Sequence, residues 1–331
     1  KFPAFLVAWG YWISIWSTNT AIVVAFLGYL TVFIPSLNTS PLYSIITGLS
    51  IIWLLTWINS KEIKTIGFVQ KITVILKVIP IILVGIIGIF FIDFNNFYLL
   101  DISNDFSFNS ITVTTTLTFF AFLGMESATI PSDKINKPNS IIKKATLYGT
   151  IFTIIIYILS SISIMGIIPP TTLAQSSAPF ADAAEVIAGD YSRKVIALGA
   201  IIATIGALNG WILIQGQIPM AASKDKLFPR FFSKTNNNKS PVFGIILSSL
   251  LISILLLFSY SKTLVEAFTF MIKLSTLSVI TPYLFSTASL AVLSKRKFNR
   301  LFISFLAFIF SIWIIIGCGI ETIKLGMIML I

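Results

Sequence analysis

The chain has no histidine, a single cysteine and only 12 acidic residues in 331. Without imidazole there is no histidine general base and no histidine metal ligand, so any proton-linked chemistry must run through a carboxylate, a lysine or water. The one cysteine, Cys318, lies in an apolar run, which excludes an internal disulfide and a cysteine metal site. No span carries paired carboxylates and no glycine-rich phosphate loop is present, so the signatures of a membrane enzyme are missing. Rings of like charge, which would suggest a channel, are missing as well. No metal and no cofactor is therefore expected.

Charge is scarce too. Charged residues make up 11% of the chain, against roughly a quarter in a soluble domain, while 56% are hydrophobic and the mean hydropathy is +0.96. This composition predicts an all-α, polytopic membrane protein. The net charge of +11 does not indicate nucleic acid, because the basic residues sit in short loops between apolar runs. The chain opens at Lys1 rather than Met, within two residues of an apolar run and without a secretory leader, so the natural protein is expected to begin earlier.

Runs long enough to cross a bilayer, about 20 residues each, fall near 3–34, 42–59, 67–92, 108–130, 143–168, 195–221, 241–260, 264–293 and 301–319, with a shorter run at 320–331. The loops between them alternate in charge. Lys61, Lys64 and Lys71 follow the second run, Lys134 to Lys144 the fourth, Lys224 to Lys239 the sixth and Lys295 to Arg300 the eighth. The segment from Pro35 to Pro41 is uncharged, and Asp93, Asp101 and Asp105 follow the third run. The positive-inside rule puts the basic loops and the start of the first run on the cytoplasmic side. No stretch is rich enough in Pro, Gly or Ser to serve as a linker, which predicts one transmembrane domain over 1–331.

The stretch Phe119 to Ser132 places a carboxylate, Glu126, between Gly124 and Pro131 at the end of an apolar run. An ionisable group at membrane depth marks a functional site by default. Gly and Pro beside it weaken helical hydrogen bonding, and broken backbone in a bilayer survives only where it lines a cavity. The alternative is a structural carboxylate at a helix end. In the first run Tyr11, Ile15 and Asn19 recur at i, i+4 and i+8, and the eighth repeats the spacing with Ser275 and Tyr283. Tyr11 and Asn19 would then be roughly 12 Å apart along one helix, and the two runs read as two walls of a polar cavity. Each residue alone has a plainer reading, as an interfacial anchor or a hydrogen bond between helices. The segment Gly206-Ala-Leu-Asn-Gly-Trp211 combines small residues for close helix approach with an indole. Lys77 lies several residues past a basic loop and either snorkels to that interface or supplies a fixed or titratable charge for coupling. Lys273, two positions from Ser275, falls on nearly the opposite helix face and is left out of the site.

Phe122-Leu-Gly-Met-Glu-Ser, with Asn136-Lys-Pro and Lys143-Lys-Ala after it, resembles the sixth span and following loop of the amino acid–polyamine–organocation permeases. Ser177-Ala-Pro-Phe-Ala-Asp-Ala-Ala resembles their approach to the eighth span, and Ala221-Ala-Ser-Lys-Asp-Lys-Leu-Phe-Pro229 the loop after it. The resemblance covers essentially the whole chain from that family's third span onward. It implies a five-plus-five inverted-repeat transporter fold lacking the first two of twelve spans, with 1–92 the remainder of the first repeat, 105–294 the second and 295–331 two trailing spans.

By residue, the resemblance implies gating linked to pH at Glu126, together with Tyr11 and Tyr283. It implies substrate contacts at Trp211, whose indole would stack on a guanidinium, and at Asn19, Ser275, Phe120 and Leu123. Phe120 stands where the arginine/agmatine-exchanging branch has a tryptophan. Lys77 resembles instead a lysine of the family's proton-dependent permeases. The implied activity is exchange of arginine for its decarboxylated amine, agmatine, across a bacterial inner membrane, by a multi-pass protein in the lipid bilayer that can form a homodimer. The alternatives are proton symport of neutral amino acids and an inactive truncated permease, the latter because the first span, which would hold the substrate's carboxylate and amine, is not in the sequence.

Overall fold

The computed structural model describes residues 2–61, 78–98, 107–125, 138–237, 240–259, 261–293 and 298–330, and these are helical with short connections. The long helices are α1 (Phe2–Leu30), α2 (Pro41–Lys61), α3 (Val78–Phe91), α4 (Phe108–Phe120), α5 (Pro138–Ile167), α6 (Pro179–Ala188), α7 (Asp190–Lys224), α8 (Val242–Phe258), α9 (Leu264–Leu293), α10 (Phe298–Gly317) and α11 (Ile320–Leu330). Six of them, α1, α2, α5, α7, α9 and α10, are long and apolar enough to cross a membrane. In apolar runs of this length the backbone must satisfy its own hydrogen bonds, and the helix does so residue by residue. Helix starts follow local chemistry. Pro opens α6 in its first turn, where a missing N–H costs nothing. Ser107 caps α4 by accepting from the Ser110 amide at 3.2 Å. Thr263 and Glu266 form a reciprocal capping box at the start of α9.

The fourth run does not continue as one helix. α4 ends at Phe120, and 121–124 form a turn in which Gly124 has a φ of +97°. The interruption expected beside Gly124 is thus present, four residues ahead of the glycine. The remainder of that run lies outside the described residues.

α1 is the most enclosed of the spanning helices. It runs along α9 and α7 and also touches α8. Its buried face, with Ile13, Trp16, Val23 and Leu27, forms the main apolar core together with Leu208, Ile212, Ile245, Leu256, Met271 and Leu274. A second core joins α3, α5, α6 and the start of α7 through Val84, Ile164, Ile167, Ala181, Ala184 and Ala197. α7 and α8 meet at Gly216 and Gly244. A Cβ on Gly244 would lie 3.2 Å from the Gly216 Cα, and one on Gly216 2.5 Å from Ile245. With little hydrophobic drive between helices in lipid, such close backbone approach is how they gain packing.

Segments that the charge pattern assigns to one side meet at one end of the molecule. Phe5 and Trp9 at the start of α1 pack on Phe228 from the loop after α7, and the Trp9 indole donates to the Met329 carbonyl at 2.8 Å. At the other end Arg193 ties α7 to α6 through Asp182 at 3.2 Å and Glu185 at 3.1 Å.

Candidate functional site

Two stripes at helical spacing face each other across a cavity of about 420 Å³. α1 contributes Tyr11, Ser14, Ile15, Thr18 and Ile22; α9 contributes Phe268, Ile272, Ser275 and Val279. The third wall is the end of α4 and its turn, with Leu117, Phe120, Ala121, Leu123 and Gly124; Tyr157 of α5 and Trp211 of α7 close the ring.

The polar edge of this cavity has a definite donor order. Ser275, fully buried, donates its only hydroxyl proton to the Ser14 carbonyl at 3.0 Å. The 2.6 Å contact between Thr18 Oγ1 and Ser275 Oγ must then have Thr18 as donor, since each hydroxyl carries a single proton. With both protons spent, Thr18 Oγ1 offers lone pairs alone to the cavity. Around that acceptor stand the aromatic side chains of Tyr11, Phe120, Tyr157, Trp211 and Phe268. The lining contains no lysine, arginine or carboxylate among the described residues. Such a wall suits an organic cation, whose N–H groups need acceptors and whose charge is attracted to ring faces.

Gly124 and Trp211 fix one another. A Cβ at Gly124 would lie 2.9 Å from Trp211 Cζ2, and the φ of +97° is one that side-chain-bearing residues rarely adopt. The helix break therefore delivers bare backbone against the indole, and only glycine fits there.

Of the residues the sequence points to, the fold brings Tyr11, Phe120, Leu123, Trp211 and Ser275 to one cavity. Asn19 is not among its lining. The Asn19 side chain is fully buried, and its Nδ2 donates to Gln215 Oε1 at 2.5 Å. Gln215 in turn donates to Ser249 Oγ at 2.9 Å and to the Ile245 carbonyl at 3.2 Å. Ser249 reaches Thr56 at 2.6 Å, and the Trp12 indole donates to Ser248 Oγ at 2.9 Å. Asn19 thus belongs to a polar seam joining α1, α2, α7 and α8 behind the cavity. Tyr283 is not in the lining either; its ring packs edge-on against Phe119 at 5.9 Å. Lys273 also stays out of the cavity, and its backbone carbonyl accepts from the Cys318 thiol at 3.6 Å. Glu126 and Lys77 lie outside the described residues, directly after Met125 at the helix break and directly before Val78.

Thr18, Ser14, Tyr157 and Phe268 were not singled out by sequence. For Thr18 a signal existed: seven residues from Tyr11 is close to two whole turns, whereas eight overshoots by about 80°. Tyr157 and Phe268 are aromatics in apolar runs, and nothing in their spacing separates a cavity wall from a lipid-facing side chain.

A second cavity, of about 530 Å³, adjoins the first. It is lined by Ala21, Ala25 and Tyr29 of α1, Val78, Pro80 and Ile81 of α3, Phe152 and Ile156 of α5, Phe180 of α6, and Ala200, Ala203 and Ala207 of α7. Ile22, Phe120, Tyr157 and Phe268 line both cavities, so these four side chains form the waist between them.

A family model described as amino acid permease matches residues 1–328. The putrescine transporter PotE of Haemophilus influenzae is 30% identical, with 97% of this chain and 76% of that protein covered. An arginine/agmatine antiporter of Chlamydia felis is 29% identical over 99% of this chain and 72% of its own length. An arginine/ornithine antiporter of Pseudomonas aeruginosa is 26% identical over 98% and 72%.

Proposed function

Because the chain belongs to the amino acid permease family, we propose that this multi-pass membrane carrier of an amino acid or amine exchanges arginine for its decarboxylated amine, agmatine, across a bacterial inner membrane. The observation that carries this reading is the acceptor edge at Thr18 and Ser275 set within a ring of aromatic side chains. A guanidinium is planar and weakly hydrated, stacks on an indole and needs several acceptors. Trp211 supplies the face and Thr18 the acceptor.

A second reading is exchange involving a diamine. It is favoured by the same wall, which offers acceptors and rings but, among the described residues, no cation to receive a carboxylate, and by similarity to a transporter named for putrescine.

Competition uptake decides between them. Labelled arginine taken up by proteoliposomes preloaded with agmatine is expected to be displaced by excess unlabelled arginine or agmatine better than by putrescine, leucine or phenylalanine. Better displacement by putrescine would establish the diamine reading, and better displacement by leucine or phenylalanine would overturn both. Trp211→Leu is expected to raise KM for arginine roughly 2- to 30-fold, the range for a cation over an aromatic face. An unchanged KM would remove the indole from recognition.

A further inference from the structure

We propose that Tyr157 is a positioning residue that latches the broken helix and holds the waist between the two cavities narrow. α4 ends at Phe120, so Ala121, its C-cap, carries a carbonyl from the group that a helix leaves without an intrahelical donor. The Tyr157 hydroxyl donates to that carbonyl at 3.2 Å. The Tyr157 ring also meets Phe122, the next residue, edge-on at 5.4 Å. One turn further along the break, Met125 Sδ lies 3.0 Å from Thr150 Oγ1 of the same α5, whose one proton goes to the Thr146 carbonyl at 2.7 Å. α5 thus packs along the broken segment, and the hydrogen bond that holds it there is that of the Tyr157 hydroxyl.

The position of this bond gives it a consequence. Phe120, the residue before Ala121, packs edge-on against Phe268 of α9 at 6.5 Å. These two rings, with Ile22 and Tyr157 itself, are the side chains common to both cavities. A solute passing from one cavity to the other must part Phe120 from Phe268, and Phe120 moves only as far as its neighbouring backbone allows. Releasing the Tyr157 hydroxyl from Ala121 frees that backbone. Tyr157 acts through Phe120, by way of a carbonyl that every residue type possesses, so its partner leaves no trace in the sequence.

The passage rests on the transport reading; the latch itself does not, and it is tested without a substrate. Val279 lines the first cavity but not the second. Val279→Cys is made in the full chain with Cys318 retained, with and without Tyr157→Phe, which removes the hydroxyl and keeps the ring. A small, charged, membrane-impermeant thiol reagent is added on the side where the C-terminal end of α1 emerges, and the modification rate of each cysteine is read by mass spectrometry. Tyr157→Phe is expected to raise the rate at position 279 roughly fivefold, the effect of losing one ordinary hydrogen bond. Cys318, which is outside the lining of both cavities, stays unreacted. An unchanged rate at position 279 overturns the latch. A simultaneous rise at Cys318 also overturns it, since the substitution would then have loosened the whole fold. If arginine uptake fails while the rate at position 279 still rises, the transport reading falls and the latch stands.

Discussion

At the scale of single residues, the cavity is defined by where protons are spent. Ser275 gives its proton to the Ser14 carbonyl and Thr18 gives its own to Ser275, which turns two ordinary hydroxyls into an acceptor-only edge. Asn19 spends its amide elsewhere, on Gln215 behind the cavity. Its replacement is therefore predicted to act on stability and leave recognition intact. Asn19→Ala deprives Gln215 Oε1 of its donor inside the helix bundle, and the expected cost is about 1–2 kcal/mol, the upper range for polar contacts between membrane helices. The check is a lowered thermal unfolding midpoint in detergent with KM for arginine unchanged. A KM raised tenfold at unaltered stability would put Asn19 back in the binding site.

At the scale of elements, the decisive feature is that α4 stops. A continuous helix through 121–124 would carry a Cβ at each turn toward α7, whereas the break presents Gly124 backbone to the Trp211 ring. Gly124→Ala meets two obstacles at once: the φ of +97°, which costs on the order of 1–3 kcal/mol for a residue with a side chain, and the indole 2.9 Å from the new methyl group. Uptake is expected to fall at least tenfold, together with a lowered unfolding midpoint. Normal uptake by Gly124→Ala would show that the indole can move aside without consequence. The polar seam from Asn19 through Gln215 and Ser249 to Thr56 has the opposite character. It joins α1, α2, α7 and α8, so these helices offer a firm frame against which the broken segment is held.

At the scale of the whole molecule, proton linkage has few places to reside. There is no histidine, and the first cavity's lining is free of charged side chains among the described residues. Glu126 directly follows Met125 in the sequence, and we propose that it carries the pH dependence of transport. Glu126→Gln keeps the size of the side chain and removes its titration. Initial rates of arginine uptake measured from pH 5 to pH 8 are expected to become nearly flat in this variant. A profile of unchanged shape would rule the role out.

Composition and spacing determined by themselves that the chain is an all-helical membrane protein, where its apolar runs lie and which run is interrupted. These follow from local rules: lipid leaves the backbone no partner but itself, and glycine tolerates a backbone shape that other residues resist. Tyr11, Trp211 and Ser275 were legible because polar and aromatic side chains at helical spacing or beside small residues stand out in otherwise uniform apolar runs, whereas Phe120 and Leu123 were reached through the family resemblance alone. Only the tertiary structure decided which residues share the cavity. At 3.6 residues per turn, a step of eight drifts by about 80°. Asn19 thereby leaves the cavity lining, as does Tyr283, while Thr18 and Val279 take the places facing the void. The rotation of α1 about its axis is in turn set by its packing along α9 and α7. Tyr157 was illegible for a different reason: its partner is a backbone carbonyl released by the break, and a carbonyl has the same chemistry in every residue of the chain.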